Sequence, residues 1–283
     1  MKRHFILNRT GTRLCLHHIE PPAGSAGSVV LAHGMFSNYR ACRGLAKYIA
    51  SLGFECWLLD SQGHGYSDLP AIEPSFESMS LDDTHAVLEF FCSRGQQPLW
   101  WIGHSGGGLA MLMYLSRYPA QQSRLAGLVT LASQTTEAGR SWPKSVLFRV
   151  SRILLKVVKV APGKLLGLGP ENEFAGVMDQ WLDWSIKGHW SGNDEFDYLN
   201  AMQHLTVPCL ALAADGDHFI APTTGIKKIH EAYGASDKTF TVFGKDQGHL
   251  ENYTHARLVS SRNASIDVWP LVGEWLQKRN KRK

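Results

Sequence analysis

The sequence predicts an α/β protein built on a mostly parallel sheet with helices on both faces. Short, fully apolar runs alternate with longer segments of helical composition, and unbroken apolar strands suit the inside of a parallel sheet. The alternation stops near Ser133 and resumes at Val207. A Gly-x-Ser-x-Gly turn, Gly103-His104-Ser105-Gly106-Gly107, stands between one apolar run and one helical segment.

Taken in order, residues 3–19 read as a hairpin around Asn8-Arg9-Thr10-Gly11. Val29–Ala32 is a buried strand ending at His33-Gly34-Met35-Phe36. A helix from about Tyr39 to Leu52 stops at Gly53, and Phe54–Leu59 is the next strand. It runs into the polar loop Asp60-Ser61-Gln62-Gly63-His64-Gly65-Tyr66-Ser67. Ser80-Leu81-Asp82-Asp83 predicts a helix start, with acids at the positive end of the dipole, and the helix runs to about Ser93. Leu99–Ile102, the glycine-rich turn, a helix over 109–118 and a strand over 125–132 follow. After the break come a strand over 207–213, a helix over 223–233, a strand over 238–243 and a helix over 267–278. Residues 1–133 and 207–283 therefore form the core. Residues 134–206 are a helix-rich insertion at the ends of strands, where it closes as a cap over the site.

The 283 residues are 44% hydrophobic and 19% charged, a globular composition. The net charge of +4 is spread along the chain and does not point to nucleic acid. Cys15, Cys42, Cys56, Cys92 and Cys209 are odd in number and lack metal-ligand spacing, so free thiols and no metal are expected. The N-terminal apolar run is too short for a signal peptide, and no run is long enough to span a bilayer. A soluble cytoplasmic protein is the expectation.

Strand–Gly-x-Ser-x-Gly–helix is the pattern of a nucleophile elbow, in which Gly103 and Gly107 make room for a strained serine. A serine hydroxyl needs a base, and the base needs an orienting acid. Downstream of Ser105, Ala214-Asp215-Gly216-Asp217 follows one strand and Gly248-His249 follows the last. Asp217 or Asp215 supplies the acid and His249 the base. The oxyanion is assigned to the N–H groups of Gly106 and Met35, and His33 is read as fixing that loop by hydrogen bonding, with a role as base the alternative.

These segments resemble the α/β-hydrolase superfamily: His33-Gly34-Met35-Phe36, the 60–67 loop, Gly103–Gly107 and Gly248-His249. The resemblance implies an eight-stranded sheet with strand two antiparallel and hydrolysis through an acyl-enzyme. It also implies no metal or organic cofactor. It favours Asp217 over Asp215, through a Gly-x-x-Asp turn in which Ala214 replaces the glycine and Pro222 follows. His64 matches a position in a structural loop. A serine at 105 argues against epoxide hydrolases and haloalkane dehalogenases, which resemble this pattern but place Asp there.

Specificity rests with the insertion. Lys144, Arg149, Arg152, Lys156, Lys159 and Lys164 are interleaved with ten apolar residues from Val146 to Val160, a basic amphipathic helix. The following stretch reverses sign, with Glu171, Glu173, Asp179 and Asp183 among seven acids, and adds Trp181, Trp184 and Trp190. Either these helices pack their apolar faces inward and pair their charges, or they form a lid over an acyl-chain pocket. In the second case the basic face meets a membrane surface or an acyl carrier. The tail Lys278-Arg279-Asn280-Lys281-Arg282-Lys283 adds positive charge. The expected function is hydrolysis of a small-molecule ester with an apolar acyl group. A thioester hydrolase and a non-catalytic small-ligand receptor are the alternatives.

Overall fold

In the computed structural model, residues 1–22, 24–96 and 98–280 are described; Lys281, Arg282 and Lys283 of the basic tail lie outside them. An eight-stranded sheet organises the chain. Its strands are β1 (Lys2–Leu7), β2 (Arg13–Ile19), β3 (Ser28–Ala32), β4 (Glu55–Asp60), β5 (Leu99–His104) and β6 (Leu125–Leu131). A two-residue pair, β7 (Val160–Ala161) and β8 (Glu173–Phe174), stands apart, and β9 (Cys209–Ala214) and β10 (Lys238–Phe243) complete the sheet. The order is β1-β2-β4-β3-β5-β6-β9-β10. β2 is antiparallel to both neighbours and every other pairing is parallel. β3, β5 and β9 are buried along their whole length, as their unbroken apolar sequences require.

Helices α1 (Arg43–Ser51) and α10 (Ala264–Asn280) contribute to one apolar layer, and α2 (Phe76–Ser93) and α3 (Gly106–Arg117) to the other. The start of α2 departs from expectation. Ser75 caps it through a reciprocal box with Ser78, so the helix begins a full turn before Ser80. Asp82 and Asp83 are mid-helix residues with tertiary partners: Asp82 accepts from Arg9, and Asp83 from Asn8 and Gln62. The first expected helix is also split, into a 3-10 turn at Tyr39–Ala41 and then α1.

Between β6 and β9 no segment joins the main sheet. This stretch carries α4 (Trp142–Val158), α5 (Gly163–Leu166), α6 (Ala175–Lys187) and α7 (Tyr198–Ala201). α6 packs α4 against α2: Trp181 meets Phe148 on one side and Trp184 meets Phe76 on the other. Arg152 of α4 pairs with Asp179 and Asp183 of α6. α8 (Thr223–Ala232) and α9 (Arg257–Ser260) belong to the core that follows.

The junction of β5 and α3 leaves no space for side chains on its inner side. A Cβ on Gly103 would lie 2.2 Å from the backbone nitrogen of Gly108, and one on Gly107 would lie 2.4 Å from the Ala32 carbonyl oxygen. Because these neighbours are backbone atoms, relief requires moving α3 off the sheet. Gly103→Ala is therefore expected to lower stability by at least about 2 kcal/mol, read as a shifted urea midpoint. An unshifted midpoint would mean that α3 can slide freely.

Candidate active site

Ser105 is the residue at that junction, with φ 52° and ψ −119°, a backbone region that side chains rarely adopt. Its neighbours hold it there. Ser105 N–H donates to the Leu131 carbonyl (2.7 Å), and the Ser133 hydroxyl donates to the Ser105 carbonyl (2.8 Å). The Trp101 indole N–H donates to the Gly107 carbonyl, tying β5 to the first turn of α3.

The loop after β3 lies directly against this turn. A Cβ on Gly34 would stand 2.7 Å from Ser105 Cβ, and one on Gly106 would stand 3.6 Å from the Met35 nitrogen. The Met35 nitrogen thus lies beside Gly106, the residue after the serine. His33 fixes the loop, as expected. Its Nε2 accepts from Ser61 N–H, so Nδ1–H donates to the Gly34 carbonyl (2.7 Å). Burial, then the nearby His64, lowers the His33 pKa and keeps the ring neutral.

Asp217 follows β9 and is buried. Its Oδ1 accepts from Ile220 N–H, and its Oδ2 lies 2.5 Å from Nδ1 of His255. Burial pushes the carboxyl up, but the hydrogen bond and charge of His255 outweigh it and hold the pKa below the ordinary value. This is a correction: the histidine on Asp217 is His255, not His249. Gly248 turns the chain at φ 84°, and His249 Nδ1 sits 3.1 Å from the Gly244 carbonyl with its ring over Phe243. His249 is therefore absorbed by its own turn. Six residues on, His255 is set by contacts on either side: Tyr253 donates to Asp267, and His104 Nε2–H donates to the His255 carbonyl. Burial and then His255 depress the His104 pKa to about 3, so that ring is a neutral donor. Asp215 stays under Gly244, whose Cβ would lie 2.6 Å from Asp215 Cβ.

Ser105 and His255 both line a cavity of about 440 Å³. Its other walls come from Met35, Phe36 and Ile220 of the core and from α4, α5 and α6, including Phe148, Leu155 and Trp181. The inserted segment reaches the serine's loop through Glu173. This buried carboxylate accepts from Phe36 N–H (3.2 Å) and Phe174 N–H (3.0 Å), and lies 3.2 Å from His64 Nε2. His64 Nδ1 meets the Gln62 carbonyl. Burial pushes His64 down, but the charge and hydrogen bond of Glu173, with the Gln62 carbonyl, together outweigh it and raise the pKa to about 9. Glu173 in turn is pushed up by burial and pulled below its ordinary value by His64.

Among the described residues one cluster gathers donors of metal-ligand type: Cys15, His17 and Asp60. Its oxygens are already engaged. Asp60 accepts from Tyr39 N–H and Tyr66 N–H and lies 2.7 Å from His17 Nε2. Burial raises the Cys15 thiol to about 12, against formation of the thiolate a metal needs. The cluster fastens β2, β4 and the 60–67 loop together.

The sheet order and the strained serine between β5 and α3 define an α/β-hydrolase. The chain belongs to the family described as serine aminopeptidase, S33, whose model matches residues 23–173, more than half of the sequence. It is similar to Lipase 3 of Drosophila melanogaster, 25% identical across 44% of this chain and 37% of that protein. It is also similar to a monoacylglycerol lipase of Mycolicibacterium smegmatis, 27% identical across 54% of this chain and 52% of that one. The chain thus spans only about a third to a half of those relatives' length. In fold it matches an esterase from Thermogutta terrifontis, with TM-score 0.69 and 16% identity over 99% of this chain and 100% of that one. A monoacylglycerol lipase of Paleococcus ferrophilus gives TM-score 0.66 and 18% identity, over 93% and 99%. No described helix is long and apolar enough to cross a membrane.

The His64–Glu173 pair ties residues 160–174 to the loop beside Ser105, and its pH dependence has a definite sign. With the folded pKa of His64 raised to about 9, the pair stabilises fully below the unfolded value of about 6.5 and fades as pH rises through about 9. His64→Gln is expected to cost on the order of 3 kcal/mol near pH 6 and little above about pH 10. Urea melts at both pH values check this, and a constant difference would refute the pairing.

Proposed function

We propose that this protein is a serine hydrolase that cleaves carboxylic esters with apolar acyl groups through an acyl-enzyme. The observation that carries this is the shared cavity: Ser105 and His255 both line it, and the remaining lining is almost wholly apolar. Relatives named as lipases support the same reading. In it, the segment between β6 and β9 acts as the cap.

Ser105 Oγ attacks the ester carbonyl while His255 Nε2 takes its proton. Asp217 holds Nδ1–H of His255, fixing the tautomer and stabilising the imidazolium. The N–H groups of Met35 and Gly106 bind the oxyanion of the tetrahedral intermediate. His255 then protonates the departing alcohol. In the second half-reaction it deprotonates a water, which attacks the acyl-serine and regenerates Ser105. His104, neutral and bonded to the His255 backbone, keeps the base in place.

Two sets of assays test this on aryl esters of graded chain length. Ser105→Ala and His255→Ala should each lower kcat/KM by at least about 10³-fold, whereas His249→Ala should stay within a few-fold of wild type. Asp217→Asn should be severe and Asp215→Asn mild. Full activity in Ser105→Ala, or loss confined to His249→Ala, would overturn the mechanism. Chain-length preference should rise beyond the shortest acyl groups, and matched thioesters run alongside show whether oxygen esters are preferred.

A further inference from the structure

Helix α4 is built inside out. Of the ten apolar residues that the sequence places between Val146 and Val160, only Phe148 and Leu155 are buried; the other eight are exposed. Inward packing therefore accounts for little of this helix. Trp142, Val146, Val150, Ile153 and Val157 fall on one stripe at helical spacing, with Trp142 79%, Ile153 65% and Val157 77% exposed. Leu165, next in line after α4, is 84% exposed. So large a continuous apolar face is rare on a surface that meets only water.

Charge and connection specify its occupant. Arg149 and Lys156, seven residues apart, flank one edge of the stripe, and Lys159 caps the helix. Among the described residues none of the three has an acidic partner, while neighbouring Arg152 and Lys164 are paired with Asp179, Asp183 and Glu171. Along the other edge, Leu147, Leu154 and Val158 are exposed and also line the cavity of Ser105. The apolar face and the cavity are thus one surface. An acyl chain entering by this edge stays on apolar groups from outside to the serine.

We infer that the α4 face docks on a lipid bilayer carrying anionic headgroups, with the stripe entering the acyl boundary and Arg149, Lys156 and Lys159 at the phosphates. Docking is a property of this surface and does not use Ser105 chemistry, so it succeeds or fails separately from the hydrolase reading.

The test is flotation of the full chain carrying Ser105→Ala with phosphatidylcholine vesicles, with and without phosphatidylglycerol. Binding should favour the anionic vesicles and weaken with salt. The double change Val150→Asp/Ile153→Asp should reduce the bound fraction at least about tenfold. Arg149→Glu/Lys156→Glu should reduce binding to anionic vesicles by about tenfold or more and leave the weak binding to neutral ones. These side chains are exposed and outside the cavity lining, so unchanged thermal melts should accompany both variants. Absence of vesicle binding would overturn the inference, as would equal binding by either variant. A dimer that Val150→Asp/Ile153→Asp converts to monomer would assign the face to a second copy of the chain instead.

Discussion

A single backbone conformation governs the architecture around the site: Ser105 at φ 52°, ψ −119°. Such a conformation costs about 1–3 kcal/mol and persists only where the surroundings over-determine it. Here they do so on three sides. Leu131 and Ser133 hold the serine's own peptide groups, and Trp101 pins the first turn of α3. The glycines at 103 and 107 let α3 approach β5 and β3 closely enough for those bonds to form. The same closeness brings Gly34 against the serine and sets Met35 and Gly106 side by side. Strain at one residue thus fixes the relative positions of three loops.

A second left-handed residue, Phe36 at φ 59°, takes the constraint outward. The inserted segment is moulded around it. A Cβ on Gly169 would lie 2.1 Å from the Phe36 carbonyl oxygen, and one on Gly163 would lie 2.3 Å from the Phe36 ring. Glu171 N–H donates to that carbonyl, and Glu173 accepts from Phe36 N–H. Both backbone groups of Phe36, the residue after Met35, are therefore held from the insertion. The buried charge on Glu173 is tolerable because His64 neutralises it and two N–H groups satisfy it. In the proposed mechanism this makes the cap part of the oxyanion loop's support as well as a roof.

The core was legible because its signals are local. Apolar runs gave the buried strands, and the spacing of glycines marked the turn at Ser105. His33 was placed correctly because a histidine in a tight loop beside a strand end has backbone groups within reach. The histidine that meets Asp217 is not the one the sequence points to, for a reason of the same kind. Gly248-His249 has the expected position after the last strand, but a left-handed glycine folds His249 back on Gly244. What carries His255 to Asp217 is long-range: Tyr253 on Asp267, and the packing of 252–253 against Gly216. Glu173 was visible only as one acid in an acidic stretch, since nothing nearby in sequence announces His64 as its partner.

Opposite charges on adjacent stretches of the insertion invited the simpler view that they cancel and that the apolar residues turn inward. The structure separates the two parts of that view. Arg152 does pair with Asp179 and Asp183, and this pairing, with Phe148 on Trp181, fixes which side of α4 faces α6. Once that side is chosen, helical periodicity leaves no freedom for the rest. A helix with apolar residues around most of its circumference can bury only one face against a single neighbour. The Arg152 ion pairs and the Phe148–Trp181 contact therefore turn Val150, Ile153 and Val157 away from α6, and leave Arg149 and Lys156 beside them with no acidic partner among the described residues. The outward apolar face and the apolar cavity are two consequences of one packing choice.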